Sequence, residues 1–324
     1  MKRRSAICVG LVGPSFVARV SQYPGGNGHA LYRDYGWALA TDAAIVAATL
    51  GRWGTRARLI GNGLGKDALG REYIRWVRSF GVAVDIALRR DFVTPVEVIL
   101  VDGSGARTWY SQENPALWGT VSDASLNALR DADFVYTDWY AGEGAQKTIR
   151  VAAGGGVPVF LNLGSSGARA NLPQWMWRAC AFFQAHVQDG EGLSGALEAL
   201  EAITRKVQGR PVILTRGRRG CVAEIKGIRY QIRGQKTRVV DTNGAGATFS
   251  AGFMRSILLG STPVQALSFA SAAATLKCTA FGITACSHRE IEEYARSFPA
   301  QRVMPLRRRK PVGRGVGVAL SRRL

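Results

Sequence analysis

The chain has 324 residues, of which 47% are hydrophobic, and its 43 Lys and Arg against 23 Asp and Glu give a formal net charge of +20. This length suits one large domain, or one domain with a small appendage. No apolar run reaches the ~18 residues that cross a bilayer, and the apolar stretch after the basic N-terminus is short and broken by glycine and proline. We therefore expect neither a membrane span nor a secretory signal peptide.

The cysteines are five in number and scattered, and none of them forms a Cys-x-x-Cys pair. An odd, unpatterned set favours reduced thiols that pack as small hydrophobic side chains. Reduced thiols in turn predict a cytoplasmic protein.

The C-terminal stretch at residues 302–324 carries seven Arg, one Lys and no acidic residue. Removing its +8 from the total of +20 leaves +12 on residues 1–301, so the basic excess is partly a tail and partly a general bias. Such a tail can bind nucleic acid or another polyanion, or it can be a solvated extension. We favour the extension, because no zinc-finger spacing or aromatic RNA-binding motif is present.

Apolar segments of strand length alternate with segments of helical periodicity along most of the chain. In chain order, strands are predicted at residues 5–13, 56–63, 95–102, 106–112, 133–139, 157–164, 181–187 and 211–217. Helices are predicted at residues 41–54, 66–82, 145–153, 192–207, 244–259, 263–280 and 288–298. Strands separated by helices imply an α/β fold with a mostly parallel central sheet and helices on both faces.

Two short β-like segments, residues 13–39 and 89–118, interrupt this alternation. They suit a small β lid at the carboxyl edge of the sheet, where open α/β folds bind their ligands. The predicted α/β core then comprises residues 1–12, 40–88 and 119–300, and residues 301–324 form the basic tail.

The stretch VVDTNGAGATFSAGF at residues 239–253 has the pattern of a turn that binds phosphate. Two β-branched residues are followed by Asp241 and Thr242, and then Gly244, Ala245 and Gly246 open a predicted helix. Glycines let the backbone approach an anion, and the first N–H groups of a helix point at it. An ordinary strand–helix turn has the same spacing, so the spacing alone leaves both interpretations open.

This stretch resembles the C-terminal signature of the ribokinase-like, or phosphofructokinase-B, carbohydrate kinase family, Asp-Thr-x-Gly-Ala-Gly-Asp-x-Phe. The chain matches the signature through Phe249, but the second Asp, which is the catalytic base of the family, falls on Ala247. Residues 54–73, 215–227 and 268–294 are similar to other parts of the family, so the resemblance covers nearly the whole chain. It implies a ribokinase-like three-layer sandwich that transfers phosphate from ATP to an alcohol group of a sugar or nucleoside.

The resemblance assigns Gly244, Ala245 and Gly246 to the anion hole for the transferred phosphoryl group, and it implies roles for other residues as well. Nucleotide-binding roles fall on Thr215, Gly217, Gly220 and Thr242. The family's monovalent cation site, for an ion such as K⁺, would include Asp241 and the carbonyl of Asn243. ATP with Mg²⁺ is the implied cofactor, and a homodimer formed through the lid is the implied assembly.

The substrate side departs from the family pattern. The Gly-Gly pair and the Asn that hold the sugar fall on Ala40, Thr41 and Ile45, with Asp42 where a polar residue is common. The early substrate-binding Asp falls on Ser15.

The family's Mg²⁺–nucleotide motif also departs from its usual form, because it falls on the tetrapeptide HVQD. Its end residues, His186 and Asp189, can contact a metal ion or its waters. The tetrapeptide can equally form a surface turn after a strand.

A positioned base contributes about 10²–10⁴-fold to such a reaction, and Ala247 cannot act as one. Replacement bases are to be sought at Asp42, Asp138, His186 and Asp189. A laboratory mutation would explain Ala247 alone but not the altered substrate positions, so the pattern favours natural divergence.

Three functions stay open at this point. The chain is a kinase with an unusual pocket, a non-catalytic protein that binds a nucleotide or sugar phosphate on a kinase scaffold (a pseudokinase), or an enzyme that uses the anion hole for another reaction.

Overall fold

The computed structural model describes residues 4–103, 107–112, 115–139, 142–187, 192–283 and 286–303. The strands, numbered in chain order, are β1 Ser5–Gly10, β2 Gly13–Val20, β3 Tyr32–Ala40, β4 Arg56–Gly61, β5 Leu64–Gly65, β6 Ala83–Asp85, β7 Leu88–Arg89, β8 Glu97–Val101, β9 Arg107–Tyr110, β10 Phe134–Asp138, β11 Val159–Asn162, β12 Phe182–His186, β13 Val212–Thr215, β14 Cys221–Ile225, β15 Ile228–Ile232 and β16 Gln301–Arg302. The α-helices are α1 Asp42–Arg52, α2 Ala68–Ser79, α3 Asp123–Asn127, α4 Glu143–Gly154, α5 Gln174–Ala179, α6 Leu193–Thr204, α7 Ala245–Leu258, α8 Pro263–Lys277 and α9 His288–Ala295.

The central sheet has the strand order β16-β15-β14-β13-β12-β11-β10-β1-β4-β6. From β6 to β13 each neighbouring pair is parallel, whereas β14, β15 and β16 extend one side of the sheet in antiparallel fashion. The predicted mostly parallel sheet is therefore confirmed.

Two apolar layers cover the faces of this sheet, because side chains along a strand point alternately to each side. In β1, Ala6 and Cys8 join one cluster, with side chains from α1, α2, α7, α8 and α9. Ile7 and Val9 join the other, with side chains from α3, α4, α5 and α6. The result is the three-layer α/β sandwich that the sequence predicts.

A second sheet, in the order β3-β2-β8-β9, draws its strands from the two segments that interrupt the alternation. Val17, Ala38 and Ile99 form a small buried cluster on one of its faces. Its other face exposes aromatic side chains, among them Tyr35 and Trp37. The division of the chain into core, lid and tail stays a prediction.

One predicted strand boundary is wrong. The first strand ends at Gly10 and not at residue 13, because Gly13 already begins β2 in the second sheet. The first two residues of the predicted tail, Gln301 and Arg302, form β16 on the free edge of β15, and Val303 N–H donates to the Arg229 carbonyl at 2.9 Å. A strand edge offers unpaired backbone groups that such a segment satisfies. Residues 304–324 of the tail lie outside the described residues.

All five cysteines are free, and Cys8, Cys180 and Cys221 are buried. Within the described ranges, the helices are too short or too polar to cross a membrane.

The close packing of α7 on α8 depends on Gly252. A Cβ added there would lie 3.0 Å from the Cα of Ala270 and 3.2 Å from the Cβ of Ala273. We expect Gly252→Val to lower the free energy of unfolding by about 1–3 kcal/mol, because the helices must separate. Gly154→Val is the matched control in α4, where an added Cβ meets nothing within 4 Å, and should change stability by less than ~0.5 kcal/mol. Equal denaturation midpoints for the two variants would contradict this account.

Candidate active site

The predicted phosphate-binding turn, residues 241–246 (the anion turn), lies at the start of α7. Gly244 precedes the helix with φ +74°, a left-handed conformation that favours glycine. In the described part of the chain, a Cβ at the exposed Gly246 would approach only Nε2 of Gln184, at 4.0 Å. The first N–H groups of a helix have no partner within it. The turn can therefore receive an anion at its open side.

Ala247 differs from the exposed Gly246 in its surroundings. Its side chain is fully buried and belongs to the same apolar cluster as Ile45. Ile45 in turn lies against the anion turn, with its Cδ1 3.0 Å from the position of a Cβ at Gly244. Ile45 and Ala247, which both depart from the family pattern, thus lie in one hydrophobic layer.

The start of α1 lies beside this layer and has a strained backbone. Thr41 has φ +69° and ψ 153°, a conformation that a β-branched residue rarely adopts. Its hydroxyl donates to the carbonyl of Leu11, and Asp42 follows as the first residue of α1. Strain of this kind costs about 1–3 kcal/mol and occurs most often where it positions functional groups.

Asp42 is a partly buried carboxylate with fixed partners. Its Oδ2 accepts from Nδ2 of Asn162 at 2.8 Å, and Asn162 is itself held by the Tyr136 hydroxyl and the N–H of Gly164. The pKa of Asp42 is raised to about 6, mainly by burial and also by the charge of Glu97, against the hydrogen bond from Asn162 and the charge of Arg107. The carboxylate is therefore poised to exchange a proton near neutral pH.

The second sheet brings two charged residues to the same region. The buried Ser15 donates to Oε2 of Glu97 at 2.8 Å, and Ser111 donates to Oε1 at 3.0 Å. Arg107 donates from Nη1 to Oδ1 of Asn243 in the anion turn at 3.3 Å. The charge of Arg107 also lowers the pKa of Asp42, so the same guanidinium acts on the turn and on the start of α1.

Asp241 opens the anion turn and is paired with Lys277. Oδ2 of Asp241 lies 2.6 Å from the lysine Nζ, and Oδ1 accepts from the N–H of Asn243 at 2.7 Å. The carboxylate that the resemblance assigns to a K⁺ site thus already holds an ammonium group.

The residues assigned to the nucleotide lie at the ends of the neighbouring strands. Thr215 ends β13, where its hydroxyl donates to the Ala185 carbonyl at 3.2 Å. Gly217 and Gly220 form the turn into β14, with φ +50° and +86°. Nε2 of Gln184, in β12, donates to the Gly246 carbonyl at 3.2 Å and places this edge beside the anion turn.

Metal ligands are sparse at this edge. Nδ1 of His186 lies 3.3 Å from the Thr215 hydroxyl, and Asp189 lies outside the described residues. The described ranges contain no group of three or more His, Cys, Asp or Glu side chains placed to bind a metal. Mg²⁺ keeps several of its waters and is commonly bound through substrate phosphates. This edge of the sheet therefore suits a Mg²⁺ ion carried by nucleotide phosphates better than an ion bound by protein side chains alone.

The sequence analysis missed three charged residues at the site, Glu97, Arg107 and Lys277. It also missed two amide side chains, Asn162 and Gln184. One signal was available, since Lys277 is the single charged residue of α8. A charge at the end of an otherwise uncharged, buried helix calls for a partner.

The fold and this edge define an α/β protein that can hold an anion at a helix N-terminus. The model of the pfkB family carbohydrate kinases matches residues 41–290. The chain belongs to that family, which is ribokinase-like, as the sequence predicts. A ribokinase of Arabidopsis thaliana is 28% identical over 243 residues, which cover 70% of this chain and 61% of that protein.

Solved structures show the same fold at lower identity. The structure of Arabidopsis thaliana ribokinase complexed with ribose and ATP has a TM-score of 0.71 at 19% identity, covering 91% of this chain and 99% of that one. A Burkholderia thailandensis nucleoside kinase in complex with inosine has a TM-score of 0.72 at 18% identity, covering 90% and 97% of the two chains.

Charge at the anion turn can be tested at Gly246. We expect Gly246→Asp to reduce the affinity for inorganic phosphate and ATP at least about tenfold, because one repelled charge is worth more than ~1.4 kcal/mol at such a site. Gly246→Asn adds the same bulk without the charge and should bind more tightly than Gly246→Asp. Calorimetry on both folded variants checks this. Equal affinities for Gly246→Asp and the wild type would place the anion elsewhere.

The pKa of Asp42 predicts a pH-dependent effect on stability. Because folding raises this pKa from 3.8 to about 6, the native state favours the protonated acid, and that stability is lost as the pH rises through about 6. We expect Asp42→Asn, which stays neutral, to raise the melting temperature by a few degrees at pH 8 and to leave it unchanged at pH 4. An equal shift at both pH values would contradict the assigned pKa.

Proposed function

We propose that this protein is an ATP-dependent kinase for an alcohol group of a sugar, nucleoside or related polyol, in which Asp42 replaces the base missing at Ala247. The observation that carries the proposal is the partly buried carboxylate with a pKa of about 6 next to the anion turn. A base of this kind is mostly ionised at pH 7 and can still hold a proton during the reaction.

The proposed step needs little covalent chemistry from the protein. The substrate hydroxyl forms a bond to the γ-phosphorus, the bond to the ADP oxygen breaks, and the hydroxyl proton passes to Asp42. The N–H groups of the turn and the guanidinium of Arg107 stabilise the transferred phosphoryl charge. Mg²⁺, borne on the phosphates, would neutralise charge on the nucleotide.

Glu97 is the proposed ligand for the substrate hydroxyls. Ser15, at the position of the family's substrate-binding Asp, donates to Glu97 at 2.8 Å. A charged carboxylate is therefore present, but it comes from the neighbouring strand. Ionised acceptors bind hydroxyl groups more strongly than a neutral hydroxyl does, which favours a substrate with several hydroxyls.

The nucleotide roles of Thr215, Gly217, Gly220 and Thr242 belong to the same proposal. The supporting observation is that Thr215 ends β13 opposite His186, the last residue of the parallel strand β12, and that Gln184 of β12 is bonded to the anion turn. His186 would contact the waters of the bound Mg²⁺.

We further propose that the exposed face of the second sheet pairs two copies of the chain. Tyr35 is 64% exposed, Tyr110 57% and Trp37 45%, and Phe16 lies between Tyr35 and Trp37 with ring centroids 5.4 and 5.6 Å away. Exposed apolar patches of this kind are typical of protein interfaces.

A non-catalytic nucleotide-binding role is the second candidate, and the burial of Ala247 among apolar side chains favours it. A kinase scaffold without a base can still bind phosphate through its turn. The two candidates differ in turnover and agree on binding.

Turnover of Asp42→Asn decides between them. We expect the wild type to release ADP with at least one member of a panel of sugars, polyols and nucleosides, and kcat to fall ~10²–10⁴-fold in Asp42→Asn with little change in ATP affinity. In the wild type, the logarithm of kcat plotted against pH should fall with a slope of one below about pH 6, because protonated Asp42 cannot accept a proton. Wild-type ATP binding without turnover on the panel would favour the second candidate.

Ala247→Asp gives the matched test of the family's own base position. We expect this variant to lose stability and to gain no activity, because its carboxylate enters an apolar layer. A gain of ~10²-fold or more in Ala247→Asp would return the base to position 247 and contradict the role of Asp42.

A further inference from the structure

Lys277 is a buried cation next to the anion turn. It ends α8, its exposed fraction is 2%, and the rest of that helix is uncharged. Burying an ammonium group is costly unless it is paired and fully hydrogen-bonded. A lysine at this position therefore needs strong partners.

The partners of Lys277 satisfy the whole ammonium group. Among the described residues, Nζ lies 2.6 Å from Oδ2 of Asp241, 3.0 Å from the Asp241 carbonyl and 3.3 Å from the Ala280 carbonyl. An ammonium group has three N–H donors, so each donor has an oxygen. Carbonyl oxygens are also the ligands that replace the hydration shell of K⁺. Nζ thus sits in a set of oxygens that suits a monovalent cation.

We propose that the ammonium of Lys277 is a built-in monovalent cation for the anion turn, so that this protein uses no K⁺ there. The Asp241 carboxylate implied for a K⁺ site does not fit a free ion, because the lysine ammonium already occupies it. The replacement of K⁺ by Lys277 rests on geometry alone, whereas any effect of Lys277 on phosphoryl transfer rests on the proposed kinase function.

The built-in cation also joins the end of α8 to the anion turn. Oδ2 of Asp241 accepts from the N–H of Gly282 at 3.2 Å, and the N–H of Val240 donates to the Cys278 carbonyl at 2.8 Å. A free cation binds by mass action, so its occupancy follows its concentration. A tethered ammonium has no such dependence, and the turn keeps its shape and local charge in any salt.

The wild type provides a test that needs no variant. Its melting temperature without ligand, and its affinity for inorganic phosphate and ATP, are measured in KCl, NaCl and tetramethylammonium chloride at equal ionic strength. We expect the three salts to agree within ~1 °C and ~twofold in affinity, because no cation binds at the turn. A saturable rise in either quantity that is specific to KCl would overturn the proposal.

Variants of Lys277 separate a cation role from a packing role. We expect Lys277→Ala to lower the melting temperature in tetramethylammonium chloride, and KCl or NH₄Cl to restore part of the loss, since the freed oxygens can take an ion. Lys277→Met fills the space without charge and should lose stability without recovery in KCl. Lys147→Ala, an exposed lysine on α4, is the control and should respond to no salt.

The outcomes for these variants are decisive. A loss in Lys277→Ala that no monovalent cation restores would reduce Lys277 to a packing residue, and an unchanged melting temperature would remove its role altogether. If Lys277→Ala does not fold, the wild-type comparison still decides. Because these readouts use ligand-free protein, they stand even where the chain shows no kinase activity.

Discussion

The contact between α1 and the anion turn determines what the site can do. Ile45 packs on Gly244, and this contact places the first turn of α1, with Asp42, next to the first turn of α7. Two helix N-termini then meet at one edge of the sheet, and their dipoles favour negative charge between them. An anion at the turn and an ionised Asp42 compete for that favourable field. The guanidinium of Arg107, bonded to Asn243, reduces the repulsion between them.

Under the proposed assignments, three charges that the family resemblance implies have counterparts at other positions. Glu97 accepts from Ser15, Asp42 takes the place of the base missing at Ala247, and Lys277 replaces the monovalent cation. In each case a nearby strand or helix supplies the group that the aligned position lacks. A partly buried carboxylate and a buried ammonium are both costly to the folded state unless they are paired and hydrogen-bonded, and their presence favours a site in use over one that has decayed.

The sequence predicted the helices and strands in which apolar residues repeat regularly, and it missed contacts between residues that are distant in the chain. The predicted helix at 244–259 and the observed α7 agree within a residue at each end, since a glycine turn and a long apolar helix are local signals. The pairing of Asp241 with Lys277 joins residues 36 positions apart, and that of Ser15 with Glu97 joins residues 82 apart. Such pairs depend on the order of the strands and on the position of the second sheet. The spacing of apolar residues along the chain carries no information about either. Thr41 is a case of a different kind, because its strained φ contradicts local preference.

The dependence of Asp42 on the second sheet has a consequence for the order of events. Burial raises its pKa, and of the two charges that then adjust it, Glu97 raises and Arg107 lowers. Both charges come from the second sheet, in β8 and β9. A ligand that binds Glu97 through hydroxyl groups spreads the negative charge of Glu97, which lowers the pKa of Asp42 and favours its ionised form. Under the proposed kinase function, a substrate bound to Glu97 would therefore help to ionise the base that it needs, before the phosphoryl group is transferred.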